Sequence, residues 1–226
     1  MNKLTWMAAL LLAFSGQAPA ASNYCGDLKN SYGPYDYRTP EDVAARELVT
    51  GAHFTEDVAL GTKGITGTIG ADLDYTLRAI PNHTGALAVM GNVAIAKKTP
   101  MLPGAKYPVE CYFERAMRFQ PNDGAVRAAY GNYLFKLGNT DRALDMFRTA
   151  AELSPDDATI NYNLGLAYLK MKDYDNANKF AKKAYALGFP LPGLKNLLVT
   201  AGKWSADEPA KAAEKAADTE AAKTAQ

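Results

Sequence analysis

An internal repeat is the feature that most constrains the fold of this chain. Residues 131–155 and 162–190 align with an offset of 34, which places Gly131 on Gly165. Each copy has the pattern of two amphipathic helices separated by a short break. A helix pair of this kind cannot bury its apolar face alone, so its copies must stack on one another. The repeat therefore predicts an all-α solenoid.

The repeated residues resemble the tetratricopeptide repeat (TPR), a 34-residue helix–turn–helix unit with small residues at fixed positions and a Pro at its end. Residues 164–168, Leu-Gly-Leu-Ala-Tyr, match its early element, and Ala177 and Ala184 match its two alanines. The first copy carries the matching residues Gly131, Gly138, Ala143, Phe147, Ala150 and Pro155. The resemblance implies a TPR solenoid of about three repeats, with degenerate N-terminal helices and a C-terminal capping helix.

The repeat pattern extends towards the N-terminus, with one insertion. Pro121 precedes Pro155 by 34 residues, and the turn-rich residues 99–104 read as an insertion between the two helices of the earlier unit. Residues 72–80 are then predicted to be the second helix of a degenerate unit, whose first helix lies within residues 40–60.

The C-terminal end of the repeats is also marked in the sequence. A last helix opens at residues 191–193, and its leucines form one apolar side, which fits a terminal cap. The array with its cap is therefore predicted over residues 71–204. Residues 205–226 are almost all Ala, Lys, Glu and Asp without an apolar stripe, and we interpret them as a disordered tail. A partner-binding helix is the alternative.

Residues 1–20 have the pattern of a secretory signal peptide. Lys3 precedes an apolar run over residues 4–14, and residues 18–20, Ala-Pro-Ala, suit cleavage. The apolar run is shorter than the roughly 20 residues that a membrane-spanning helix needs. We therefore expect an exported protein, cleaved after about Ala20, without stable membrane insertion afterwards.

Three further phrases resemble small exported TPR proteins of Gram-negative bacteria. They are residues 32–37 (Tyr-Gly-Pro-Tyr-Asp-Tyr), 75–83 (Tyr-Thr-Leu-Arg-Ala-Ile-Pro-Asn-His) and 191–194 (Leu-Pro-Gly-Leu). This resemblance implies a periplasmic location and says little about the partner.

The chain has two cysteines, Cys25 and Cys111. In an oxidising compartment an even number of cysteines favours a disulfide, which here would tie the N-terminal segment to a helix of the array. Two buried or free thiols are the alternative. A redox or metal site is not expected, because there is no Cys-x-x-Cys and only His53 and His83 could add imidazole ligands.

Residues 21–70 are predicted to hold an irregular segment, a helix and a Gly-rich connection. Four tyrosines, Tyr24, Tyr32, Tyr35 and Tyr37, stand among Gly and Pro. Their rings either pack onto the first helices as a cover or form a ligand platform or lid over a groove. Residues 39–42, Thr-Pro-Glu-Asp, indicate a helix start, and four glycines follow between residues 61 and 70.

The sequence offers no catalytic motif and no sign of a charged macromolecular partner. It lacks Gly-x-Ser-x-Gly, His-Glu-x-x-His and a phosphate loop, and we interpret Asn82, directly before a predicted helix, as a helix cap. The formal net charge of +1 falls to 0 once Lys3 is removed with residues 1–20, so nucleic acid is not expected as a partner. We expect no enzyme, no cofactor and no metal.

The resemblance to TPR proteins also implies where a ligand binds. In that family the first helix of each repeat lines a concave groove, and residues at fixed positions of that helix hold a peptide. Those positions are occupied here by Asn92, Asn132, Phe135, Lys136, Tyr162, Asn163, Leu166 and Lys170.

One subgroup of TPR proteins clamps a partner's C-terminal carboxylate with two asparagines and several basic residues. Asn132 and Asn163 fit the two asparagine positions. Ala128 stands where a basic residue is expected, which leaves the clamp incomplete unless Lys195 on the last helix replaces it. A general peptide groove is the alternative.

Together these features predict a non-catalytic periplasmic adaptor that binds a peptide or protein partner in its groove, in the assembly of an envelope complex. A binder of small molecules or glycans is the alternative, with the Tyr-rich N-terminus and the insertion at residues 99–104 closing over the groove. A hydrolase with an unrecognised site is the third possibility.

Overall fold

The structure, a computed structural model, describes residues 24–205. The predicted signal peptide, residues 1–20, lies outside this range, as does the predicted tail apart from Ser205. The described residues form no strand, and none of their helices is both long and apolar enough to cross a membrane. A 3₁₀ turn at Pro40–Asp42 precedes the α-helices, which are α1 (Val43–His53), α2 (Glu56–Ala59), α3 (Ile69–Ala79), α4 (Thr84–Ala96), α5 (Val109–Phe119), α6 (Gly124–Lys136), α7 (Thr140–Leu153), α8 (Ala158–Lys170), α9 (Tyr174–Ala186) and α10 (Gly193–Thr200).

Three helix pairs repeat along the chain and stack into a solenoid. The pairs are α4 with α5, α6 with α7 and α8 with α9, and the first helices of successive pairs contact each other. Helix α10 packs against α8 and α9 and caps the C-terminal end. Before the first pair, α1 and α3 pack together as a degenerate unit. The predicted all-α repeat architecture is confirmed.

Glycine at one repeat position allows the helices to approach closely. A Cβ atom on Gly131 would lie 2.7 Å from Cε1 of Phe147, and one on Gly165 would lie 2.6 Å from Cδ2 of Leu194. These separations are shorter than van der Waals contact. A larger residue at position 131 would therefore clash with the Phe147 ring, and one at position 165 would displace the Leu194 side chain.

The insertion between α4 and α5 packs against the start of α3. Leu102 is buried, and the Thr68 hydroxyl donates a hydrogen bond to the Pro103 carbonyl at 2.6 Å. A Cβ atom on Gly70 would lie 2.4 Å from that carbonyl oxygen. The insertion thus fastens the degenerate unit to the first full repeat.

A buried carboxylate anchors the Gly-rich connection between α2 and α3. Asp72 accepts hydrogen bonds from the backbone N–H groups of Ile65 and Thr66, at 2.7 and 3.2 Å, and from the Thr66 hydroxyl. Its Oδ1 also lies 3.0 Å from Nδ1 of His53 on α1. Burial alone would raise the pKa of Asp72, but the hydrogen bonds from Thr66, His53 and Ile65 outweigh burial and lower that pKa. One carboxylate thus joins α1, the connection and α3.

We call residues 24–39 the N-terminal arm, which is attached to α5. A disulfide joins Cys25 of the arm to Cys111 of α5. The buried guanidinium of Arg115 donates through Nη1 to the carbonyls of Cys25 and Asp27, at 3.0 and 2.6 Å. The attachment therefore combines one covalent bond with hydrogen bonds from a charged donor, which are stronger than those from a neutral one.

Farther along the arm, two tyrosine rings pack against α1 and α3. Tyr32 and Tyr35 contact a buried cluster of Val49, Ala79 and Ile80, and the two rings meet edge to face with centroids 5.1 Å apart. The backbone N–H of Tyr35 donates to the Ala79 carbonyl at 2.8 Å. These two rings cover apolar surface, which corresponds to the packing interpretation of the Tyr-rich segment.

The first helix of each repeat ends in a left-handed turn. Lys98, Gly138 and Lys172 follow α4, α6 and α8, with φ angles of 51°, 81° and 61°. A hydrogen bond from the residue after each of them closes the turn, as from the N–H of Asp173 to the Tyr168 carbonyl at 3.0 Å. Glycine adopts this conformation without the steric cost that a side chain incurs. The two lysines therefore occupy positions that favour glycine.

Replacing Lys172 by glycine is expected to raise the free energy of unfolding by about 1 kcal/mol, because the left-handed turn then costs less. Denaturant unfolding of the oxidised protein measures the change. The converse variant, Gly138→Ala, is the matched control and should lower the free energy of unfolding. Equal stability of Lys172→Gly and wild type would show that the turn is not strained.

Loss of the disulfide is expected to lower the free energy of unfolding by about 4 kcal/mol, because the bridge joins residues 86 positions apart and restricts the unfolded chain. The check is denaturant unfolding of the wild type with and without reductant. The double variant Cys25→Ser/Cys111→Ser controls for other effects of the reductant and should not respond to it. A loss below about 1 kcal/mol would mean that the bridge constrains the unfolded chain far less than its span implies.

Candidate functional site

The first helices of the three full repeats line a groove of about 530 Å³. Its lining contains the buried rings of Phe113 and Tyr133 and the start of α8. The rest of the apolar lining on α4 and α6 consists mostly of small residues, which are Gly85, Ala88, Gly91, Ala125, Ala128 and Ala129. Because these side chains are short, the helices leave room between them for another chain.

Three asparagines and a lysine supply polar groups to the groove. Asn92 of α4, Asn132 and Lys136 of α6, and Asn163 of α8 all line it. Nζ of Lys136 donates to Oδ1 of Asn92 at 2.7 Å and so links α4 to α6. An amide side chain both donates and accepts hydrogen bonds, and can therefore pair with a backbone N–H or carbonyl of a bound chain. The structure thus brings together four of the eight predicted groove residues.

The other four predicted residues, all within the described range, lie outside the groove lining. Phe135 and Leu166 pack against the hydrophobic core. Tyr162 stacks on Phe189, with ring centroids 3.9 Å apart, and Lys170 is exposed at the end of α8. A ligand contact at these four positions stays a prediction.

Lys195 does not line the groove. Its Nζ lies 5.4 Å from the Trp204 ring centre, and both side chains line a separate recess with Tyr185 and Phe189. Ala128 lines the groove where a clamp needs a basic residue. The structure therefore gives no support to a replacement by Lys195, and Lys136 supplies the positive charge at the groove.

The carboxylate in the groove lining serves its own helix. Asp157 is the N-cap of α8 and accepts a hydrogen bond from the Ile160 N–H at 2.9 Å. Between residues 24 and 205, no group of three or more His, Cys, Asp or Glu side chains is placed to hold a metal ion. The chemistry that the groove offers is hydrogen bonding, one ammonium group and apolar contact.

A second space adjoins the groove at the start of α4, and we call it the aromatic recess. It is lined by Tyr37, Val43, Arg46, Glu47, Thr50, Phe54 and His83. The rings of Tyr37 and His83 lie with centroids 4.2 Å apart, and the Phe54 ring meets His83 edge-on at 4.6 Å. The sequence did not predict this recess, because its residues come from the arm, from α1 and its C-terminal end, and from the start of α4, and they share no motif.

The helix cap of α4 is His83 and not Asn82, so the interpretation of Asn82 as the cap is wrong. Nδ1 of His83 accepts from the N–H of Ala86 at 3.1 Å, which places the proton of the neutral ring on Nε2. Burial lowers the pKa of His83 to about 4, and the positive charge of Arg46 acts in the same direction. The imidazole is therefore neutral near pH 7.

Asn82 instead holds the arm against the turns before α4 and α6. Its side chain accepts from the N–H of Tyr37 at 2.9 Å and donates to the carboxylates of Asp36 and Asp123, at 2.7 and 3.3 Å. Gln120 donates to Asp36 at 2.6 Å, and Asp123 is the N-cap of α6. This buried network fixes the position of Tyr37 in the aromatic recess.

Comparison with known proteins identifies the repeats. Residues 131–172 match the family model of the TPR repeat, and residues 158–187 match a second model of the tetratricopeptide repeat. No curated protein matches the chain. The matched residues contain the end of α6 and all of α7, α8 and α9.

Several solved structures are similar to this chain. PilF of Pseudomonas aeruginosa is 20% identical, with a TM-score of 0.49 and coverage of 70% of this chain and 68% of that chain. YrrB, described as a TPR protein with an unusual peptide-binding site, is 25% identical, with a TM-score of 0.41 and coverage of 60% and 64%. MamA is 17% identical, with a TM-score of 0.44 and coverage of 66% and 74%.

Stability is expected to fall as the pH is lowered towards the pKa of His83. In the unfolded chain this pKa is 6.5 and in the folded protein about 4, so between these values the unfolded chain binds more protons. We expect His83 to remove about 2 kcal/mol of stability between about pH 7 and pH 5.

Denaturant unfolding of wild type and His83→Asn at both pH values checks this expectation. Asn is also a good helix cap, and the variant keeps every other titrating group, so the difference between the two pH dependences isolates His83. Identical pH dependences would show that His83 titrates normally in the folded protein.

Proposed function

We propose that this chain, whose residues 131–187 match models of the TPR repeat, is a non-catalytic adaptor that binds a peptide or protein partner in the groove formed by α4, α6 and α8. The observation that supports this most directly is the lining of the groove. Amide side chains project from all three helices, at Asn92, Asn132 and Asn163, beside a surface of small residues. A chain in this space finds both donors and acceptors for its backbone.

The charge of the groove fits a partner with an acidic or carboxylate group near α6. Lys136 is exposed and supplies an ammonium group there, while Asp157 is engaged as the cap of α8. An ammonium group donates up to three hydrogen bonds, and Lys136 uses one of them on Asn92. Without a basic residue at Ala128, we propose a general peptide groove and not a dedicated carboxylate clamp.

The geometry gives less support to a glycan or small-molecule binder closed by a lid. Neither the arm, residues 24–39, nor the insertion, residues 99–104, contributes to the groove lining. Tyr32 and Tyr35 are engaged with Val49 and Ile80. The segments that would form such a lid are therefore packed elsewhere.

We propose that this adaptor acts in the periplasm, in the assembly of an envelope complex. The sequence pattern of residues 1–20 supports export. The Cys25–Cys111 disulfide supports it as well, since such bonds persist in oxidising compartments and are rare in the cytosol.

The adaptor function is tested by affinity capture from envelope extracts, with the double variant Asn132→Ala/Asn163→Ala. Removing two amides from the groove is expected to weaken partner binding about 10- to 100-fold. The matched control is Asn122→Ala/Asn196→Ala, which removes two exposed asparagines outside the groove. Quantitative mass spectrometry measures the recovered proteins, and circular dichroism checks the fold.

A protein recovered with wild type and control but lost with the groove variant supports the proposal. Recovery of the same proteins with all three forms would exclude the groove as the binding site. Recovery of no specific protein with any form would argue against an adaptor.

A further inference from the structure

The groove and the aromatic recess meet at Gly85. This residue lines the groove, and a Cβ atom at its position would lie 3.2 Å from Cε1 of His83 and 3.6 Å from Cε1 of Phe54. Both rings line the aromatic recess. The edges of these two rings therefore lie against the backbone of Gly85, which forms the boundary between the two spaces. A chain that extends from the groove past the start of α4 crosses this boundary into the recess.

The aromatic rings that line the recess are held in place by the surrounding structure. Tyr37 is 41% exposed, whereas His83 beneath it is buried. The backbone N–H of Tyr37 is held by Asn82, and Phe54 packs against the hydrophobic core. These rings are therefore already in position before a ligand arrives, which lowers the entropic cost of binding.

The rim of the recess does not select for charge. Arg46 and Glu47 both line it, and their charges oppose each other. Arg46 is also committed to the arm, because Nη1 donates to the Asp36 carbonyl at 3.1 Å and the guanidinium lies 5.5 Å from the Tyr37 ring centre. The neutral imidazole of His83 adds no charge. The recess therefore offers aromatic and apolar contact from Tyr37, Phe54 and Val43, beside the polar groups of its rim.

We propose that the aromatic recess binds an aromatic side chain of the same peptide that occupies the groove. This inference rests on the proposed function and extends the binding surface from the TPR repeats onto α1 and the arm. The cavity, of about 530 Å³, is larger than any single aromatic side chain. A ring seated there contacts Tyr37 and Phe54, and aromatic anchors in preformed pockets carry a large share of binding energy.

The test begins with random peptides of about 12 residues, displayed against the full disulfide-bonded chain. Fully extended, such a peptide spans about 40 Å. We expect the selected peptides to share a Phe, Tyr or Trp at one fixed position. Replacing that residue by Ala in a synthetic peptide should weaken binding about 30-fold, as for a hot-spot side chain.

A filled recess provides the matching variant of the protein. Val43 is exposed on α1 and lines the recess, so Val43→Trp places a competing ring there without disturbing the core. We expect this variant to bind the selected peptide about 30-fold more weakly. In this variant, the aromatic-to-Ala change in the peptide should no longer alter the affinity. Leu48→Trp is the control, because Leu48 is exposed on the same helix and lines a different recess.

The outcomes separate this inference from the proposed function. In one outcome, the selected peptides bind more weakly to Asn132→Ala/Asn163→Ala yet show no aromatic preference and no change in affinity for Val43→Trp. That result would contradict the proposed binding in the recess and leave the proposed binding in the groove intact. Peptides that respond to Val43→Trp alone would show that one peptide does not fill both spaces. If the affinity of the selected peptides changes with neither variant, or if no peptide is selected, both the proposed groove binding and the proposed recess binding are contradicted.

Discussion

The close approach of helices at glycine positions is the constraint on which the rest of the structure depends. The Phe147 ring packs against the backbone of Gly131, and the Leu194 side chain packs against the backbone of Gly165. These contacts set the separation of α6 from α7 and of α8 from the cap. The groove depends on the same stacking, because α4, α6 and α8 meet only when their second helices pack tightly behind them.

The N-terminal end of the solenoid is closed by a different means. There the backbone of Gly70 on α3 lies against the Pro103 carbonyl of the insertion, and buried polar groups make the other connections. Asp72 forms hydrogen bonds that connect α1, the Gly-rich connection and α3. Asn82 forms hydrogen bonds that connect the arm to the turns before α4 and α6. Buried polar networks that are fully satisfied specify one arrangement, and here that arrangement places Tyr37 in the aromatic recess.

The solenoid architecture could be predicted from the sequence because it repeats. The contacts that close its N-terminal end could not be predicted. A period of 34 located α6 to α9, and the resemblance to TPR proteins then indicated Asn132 and Asn163 as groove residues. The roles of Asp72 and Asn82 have no period and depend on partners between 6 and 46 residues away. Asn82 precedes a helix and has the residue type of a cap, yet His83 is the cap, because the fold offers Asn82 the carboxylates of Asp36 and Asp123. Only the three-dimensional arrangement distinguishes these uses.

The disulfide divides the chain into two mechanical parts. Because Cys25 and Cys111 are 86 positions apart, the first repeat's α4 and the degenerate unit lie inside a covalent loop, whereas α6 to α10 lie outside it. A force applied at the two ends of the chain bypasses that loop and extends only the segments beyond it. Full extension is thereby shortened by roughly 290 Å, and α1 to α4 bear no tension while the groove helices α6 and α8 carry it.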